Sequence, residues 1–129
     1  PESVNEAIDY AENKTKDYGK FVFTICLAYG SREEMIRAIQ SIASDHADGK
    51  ISLEDIDEKV VSERLYTADM PDPDLVIRTS GEERISNFLL WQMAYSELYF
   101  TDVFWPSFQK KDLLKAIRTF QERRRRYGV

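Results

Sequence analysis

Cysteine and histidine are almost missing from this 129-residue sequence, which holds one of each, Cys26 and His46. That excludes a Cys/His zinc site and a CxxC redox pair. A Ser-His-Asp triad would have to use His46, and no nucleophile-elbow motif accompanies it. His46 lies in the polar stretch 44–50 and reads as an ordinary helix-end residue. Cys26 sits in an apolar run and reads as a buried small hydrophobe of a reducing compartment. Long apolar runs are missing too: nothing approaches the ~18–20 residues of a membrane span, and no signal-peptide pattern occurs in these residues. Glycine and proline number only five and four, and no repeat, low-complexity tract or interdomain linker is visible. Positive charge is the scarcer sign, with 18 Lys and Arg against 23 Asp and Glu, a net charge of −5. That balance argues against generic nucleic-acid binding.

What is present is a globular composition, 43% hydrophobic and 32% charged, of a length that suits one domain rather than two. The charge is unevenly spread: residues 1–77 carry a balance of −9 and residues 78–129 a balance of +4. The cationic part invites a search for a local anion site.

Residues 4–18 place Ala7, Ile8 and Ala11 at helical spacing among charges, which predicts an exposed helix before Gly19. Phe21–Ala28 is a nearly unbroken apolar run and predicts a strand buried on both faces. Tyr29-Gly30 ends it. Ser31 and Glu34 then have the spacing of a capping box, and the helix after it sets Met35, Ala38, Ile39, Ile42 and Ala43 on one face. A second helical region begins at Ser52, with Ile56, Val60, Val61 and Leu65 as its apolar positions. Pro71-Asp72-Pro73-Asp74 breaks any helix. Leu75-Val76-Ile77 reads as a short strand running into Arg78-Thr79-Ser80-Gly81. Residues 88–105 hold 7 of the 16 aromatics. Phe88, Trp91, Tyr95 and Tyr99 have helical spacing, while 98–104 could equally form a strand. A last helix presents Leu113, Leu114, Ile117 and Phe120. The alternation predicts an α/β fold with a mainly parallel sheet flanked by helices.

Ligands in open α/β sheets bind beyond the carboxyl ends of strands. Here Arg78 stands where an apolar strand stops, and Gly81 permits a tight turn that returns Arg84 and Ser86 toward it. Two guanidinium forks and a hydroxyl suit a diphosphate. Spacing alone equally allows Arg78 and Arg84 to pair with Glu82, Glu83 or Asp74 as structural ion pairs. Glu97, by position alone, reads as a solvated charge between Tyr95 and Tyr99. The run Arg123–Arg126 reads as a solvated helix end.

The segment Asp74-Leu75-Val76-Ile77-Arg78-Thr79-Ser80-Gly81-Glu82-Glu83-Arg84-Ile85-Ser86-Asn87-Phe88-Leu89-Leu90-Trp91-Gln92 closely resembles the C-terminal signature of the cis-prenyltransferases, the undecaprenyl and dehydrodolichyl diphosphate synthases. The likeness continues through Ala94–Phe100 and Trp105-Pro106, and reaches back to Ala28-Tyr29-Gly30-Ser31-Arg32. Ala28 stands where many bacterial members have Asn, which leans toward the archaeal and eukaryotic branch.

The resemblance implies that Arg78, Arg84 and Ser86 hold the diphosphate of isopentenyl diphosphate and that Glu97 ligates Mg²⁺. It makes Arg126 and Gly128 the Arg-x-Gly motif that reaches across a dimer interface to the partner's active site. It also implies an allylic diphosphate as second substrate and a homodimer. The expected setting is the cytoplasm, with peripheral membrane contact through the lipid product and no nucleic acid as partner. The family's phosphate loop, Asp-Gly-Asn-Gly-Arg-Trp with its catalytic Asp, is not found in residues 1–129. Together with the start at Pro1, this leads to the expectation of the C-terminal portion of a single cis-prenyltransferase domain, inactive alone. The alternative implied by the family is a non-catalytic partner subunit. Retention of Arg78, Arg84, Ser86 and Glu97 together argues against it.

Overall fold

The computed structural model describes residues 2–123. Its chain order is α1 (Glu2–Thr15), α2 (Ser31–Ala47), α3 (Glu58–Ser62), β1 (Leu75–Arg78), β2 (Glu97–Phe100) and α4 (Lys110–Glu122), with short 3₁₀ turns at Leu53–Asp55 and Trp105–Ser107. β1 and β2 pair in parallel, with Leu75 opposite Glu97 and Arg78 opposite Phe100. Parallel strands need a crossover connection, and residues 79–96 supply one made of turns. The expected α/β class with a parallel sheet is what the structure shows. Among the described residues no helix is long and apolar enough to cross a membrane.

Local chemistry explains several boundaries. Asp57 caps α3 by accepting from the Val60 amide at 2.8 Å. Gln109 and Asp112 form a reciprocal box at the start of α4. The Pro71–Asp74 segment separates α3 from β1, as its prolines dictate.

The α2 face that meets the interior shares Ala38 and Ile42 with the predicted one, with Met35 half-buried, but is rotated toward Ser31 and Glu34. Ser31, Glu34, Ala38 and Ile42 are buried, while Ile39 is 61% exposed. Ala43 is also exposed. Nor does the predicted capping box form. Gly30 is the N-cap residue and contributes no side-chain cap. The Glu34 carboxylate is drawn inward instead, where it accepts from the Tyr66 amide (2.8 Å), the Tyr29 hydroxyl (2.5 Å) and the Gln92 amide (3.3 and 3.4 Å). Three donors in the interior hold it there, because a buried donor left alone costs about 1–3 kcal/mol, while the Ser31 amide is served by the Asn87 carbonyl instead (2.8 Å). In α4, Ala116 is fully buried, while Leu113 and Leu114, expected on the core face, are 40% and 53% exposed.

The largest departure from expectation is the run 21–28. It is not a strand and it is not buried, and the chain bends at Leu27 and Ala28, the latter with φ 50°. Phe21, Val22 and Phe23 are 80–90% exposed, and Cys26, expected inside, is exposed as well. The reason is that a strand exists only through a neighbour. Among the described residues this run makes no backbone hydrogen bond to another segment and is held only by side-chain contacts such as Thr24 to Met70. An unpaired apolar edge of this kind templates association. The isolated 129-residue chain is therefore expected to self-associate at micromolar concentration, with Phe21→Lys plus Phe23→Lys shifting it toward monomer in analytical ultracentrifugation. A monomeric parent chain would contradict this.

Candidate functional site

Arg78 is the last residue of β1, and its carbonyl accepts from the Thr101 amide at 2.9 Å. The chain then turns sharply. Ser80 and Gly81 both have left-handed φ, 71° and 68°, and their amides donate to Val103 and Thr101 carbonyls at 3.0 Å. Glycine is at ease in this conformation, and a Cβ on Gly81 would lie 3.0 Å from the Asp102 carboxylate, which would have to shift. The turn sends residues 82–88 back across the end of the strand. Arg78 and Arg84 consequently line one cavity of about 220 Å³, walled by Ile85, Phe88, Met93 and Phe100. Val76, Ile77 and Leu98 complete the lining, so the cavity lies along the two strands and reaches their carboxyl ends at Arg78 and Phe100; cationic side chains on apolar walls can pair with a small anion.

Both readings of the arginines meet here. Arg84 lines the cavity and also pairs with Glu82, its side chain 65% exposed. An ion pair that exposed is weak and exchangeable. Arg78 is half-buried, and no ion pair of it is among those of the described residues. Ser86 lies two residues past Arg84, exposed and with φ 53°, and does not itself line the cavity.

Glu97 is not brought to these arginines. It opens β2 opposite Leu75, three register positions before the Phe100 that faces Arg78, which is about 10 Å along the strands at the usual rise. Its partner is Arg123, whose Nη1 donates to Glu97 Oε2 at 2.9 Å and to the Leu98 carbonyl at 2.8 Å. So Glu97 is a paired carboxylate and not the solvated charge of its local sequence. Among the described residues no group of three His, Cys, Asp or Glu side chains converges as a metal cluster. Arg126 and Gly128 lie outside the described residues.

Two residues to which sequence reasoning gave no such role tie distant segments together. Asn87 follows Ser86 with φ 62°; its side-chain oxygen accepts from the Arg32 amide (2.9 Å) and its carbonyl from the Ser31 amide (2.8 Å). Glu34 anchors Tyr29, Tyr66 and Gln92, as described above. Asn is one of the few residues that tolerate left-handed φ, and that was the available signal for Asn87. The signal for Glu34 was present but pointed to a cap.

These features define an α/β protein with a cationic cavity at the carboxyl end of a parallel strand. The family model of the undecaprenyl diphosphate synthases, a prenyltransferase family, matches residues 1–128, and the chain belongs to that family. It is 53% identical over 130 residues to the tritrans,polycis-undecaprenyl-diphosphate synthase (geranylgeranyl-diphosphate specific) of Methanocaldococcus jannaschii, covering 99% of this chain and 46% of that protein. It is likewise 53% identical over 128 residues to the protein of the same name from Pyrococcus furiosus, covering 99% of this chain and 48% of that one. Among solved structures, lavandulyl diphosphate synthase from Lavandula x intermedia, in complex with dimethylallyl diphosphate, superposes with a TM-score of 0.94 at 38% identity, over 100% of this chain and 56% of that one. The chain thus spans about half the length of the curated relatives it matches.

Proposed function

We propose that this chain is the C-terminal portion of a cis-prenyltransferase domain and carries its isopentenyl diphosphate site. The reaction would break the allylic C–O bond, releasing pyrophosphate, and join the allylic carbon to the terminal alkene carbon of isopentenyl diphosphate, with loss of a proton from its C2 to form a new Z double bond. The observation that carries this reading is the convergence of Arg78 and Arg84 on one cavity along β1 and β2 in a chain of this family.

In this reading Arg78 grips the diphosphate from a fixed strand end, and Arg84 leaves Glu82 to close on it. Ser86 adds a hydroxyl donor from the loop rim. Ile85, Phe88 and Met93 would pack the isopentenyl tail beside the arginines. Holding the nucleophilic alkene still lowers the entropic cost of its encounter with the allylic carbon. Glu97 is a hard, partly exposed carboxylate, and Mg²⁺ takes one or two such ligands while keeping water and phosphate oxygens. It would hold the ion once Arg123 releases it, and the ion would supply charge neutralisation on the departing diphosphate. Tyr95, Phe104 and Trp105 are 67–77% exposed, an apolar surface that a second copy in a homodimer would cover. Membrane contact would come through the lipid product.

The test is incorporation of labelled isopentenyl diphosphate, with Mg²⁺ and geranylgeranyl diphosphate or another allylic diphosphate, into solvent-extractable polyprenyl product. The full-length protein that contains this chain is expected to be active, and the 129-residue chain alone inactive. No product from the full-length protein with any allylic primer would overturn the reaction assignment. Robust synthesis by the isolated chain would overturn the claim that half the site lies elsewhere.

A further inference from the structure

We infer that Asn87 is a positioning residue that holds the Arg84–Ser86 loop in its substrate-binding geometry by tethering it to the start of α2; this rests on the reading that the loop binds isopentenyl diphosphate. The first turn of any helix has amide groups without intrahelical partners. In α2 the residue that would normally serve them, the N-cap, is Gly30, which has no side chain. Asn87, 55 residues beyond Arg32, takes over: its side-chain oxygen accepts from Arg32 N and its carbonyl from Ser31 N. The tether is reinforced from the other side, since Ser31 Oγ accepts from the Leu90 amide at 2.9 Å. Space is matched to it as well, because a Cβ on Gly30 would come within 2.9 Å of the Asn87 amide nitrogen.

The loop needs such a tether. Ser86, Asn87 and Leu89 all have left-handed φ, at 53°, 62° and 43°, and none is glycine. Backbone in that region is unfavourable and persists only where surroundings impose it. Releasing Asn87 lets the segment relax, and Ser86 and Arg84, one and three residues upstream, move with it. α2 is 17 residues long and buried along one face, so it is a rigid post for the tether.

The experiment uses the full-length protein and four variants, with KM for both diphosphates, kcat and melting temperature measured on each. Asn87→Gly removes the acceptor but keeps a residue at ease with positive φ. It is expected to raise KM for isopentenyl diphosphate by about tenfold, since a capping bond is lost and its energy is of that order, with KM for the allylic diphosphate unchanged. The double variant Gly30→Ser with Asn87→Gly restores a cap to α2 from within the helix, on a residue whose extended backbone (φ −144°) accepts any side chain, but leaves the loop untethered. It is expected to recover the melting temperature and not the KM. Gly30→Ser alone, which forces the Asn87 amide aside, should raise the same KM. Arg84→Ala controls for the site itself. If the double variant recovers KM along with stability, Asn87 only caps a helix and the inference is overturned. The inference is equally overturned if Asn87→Gly leaves KM unchanged while Arg84→Ala raises it. If Arg84→Ala leaves KM unchanged, the diphosphate reading of the loop falls, and the inference with it.

Discussion

Replacing Arg78 with alanine in the full-length protein is expected to raise KM for isopentenyl diphosphate by about ten- to a hundredfold, with the allylic KM little changed. The size follows from the bonds lost: a charge-assisted hydrogen bond contributes about 1.5–3 kcal/mol net, and each 1.4 kcal/mol is a factor of ten. Arg78 should matter more than Arg84. Its backbone is held in the sheet register opposite Phe100, so its guanidinium starts from a fixed point. Arg84 sits on a turn and is already engaged by Glu82. Binding must displace that pair, which subtracts part of the gain. Arg78→Lys should recover only a fraction, because an ammonium cannot span two phosphate oxygens as a guanidinium fork does. Steady-state kinetics with each diphosphate varied in turn decides the matter. Unchanged constants for both substrates in Arg78→Ala would remove Arg78 from the site.

The second large effect is on stability. Glu34→Ala in the full-length protein is expected to cost about 3 kcal/mol or more. Glu34 is 1% exposed and receives hydrogen bonds from the Tyr29 hydroxyl, the Tyr66 amide and Gln92. Deleting the carboxylate leaves those donors facing an apolar hole. The melting temperature should fall by about 10 °C, measured by calorimetry; a fall of only a degree or two would contradict the account. The same cluster sets an alkaline limit. Burial first, and then the hydrogen bond to Glu34, push the Tyr29 hydroxyl up to about 12 from its ordinary 10.0. The raised value means that the neutral phenol is favoured by folding. Its contribution is complete below pH 10 and is lost as pH rises from 10 toward 12. Glu34→Gln removes the charge beside the phenol and should weaken that dependence.

These two predictions rest on residues that differ in how openly the sequence declared them. Arg78 was legible in place though not in role: the apolar triplet after Pro-Asp-Pro-Asp read as a short strand with the arginine at its end, while its spacing allowed an anion ligand or a structural ion pair equally. The helices α2 and α4 and the α/β class were legible for the same reason, because periodicity and helix breakers act over a few residues. Glu34 was visible but misassigned. Its spacing from Ser31 is that of a capping box, and only the arrival of Tyr66 and Gln92 from 32 and 58 residues away turned it inward. The aromatic stretch 88–105, open between helix and strand on its pattern, resolved into turns followed by β2. Successive positive φ values at Ser86 and Asn87 interrupt any helix there.

By itself, then, the sequence determined that one Cys and one His cannot build a zinc site or a CxxC pair within these residues, the order of the helices and of β1, and the placing of two arginines around a Gly turn. Each of these depends on composition or on contacts within a few residues. Tertiary structure alone decided that Arg78 and Arg84 share a cavity, that Asn87 caps a helix 55 residues away, that Glu97 faces Arg123 across the sheet edge, and that 21–28 stands unpaired. Those outcomes depend on which distant segment supplies the missing partner for a buried or extended backbone group. No local pattern specifies that partner.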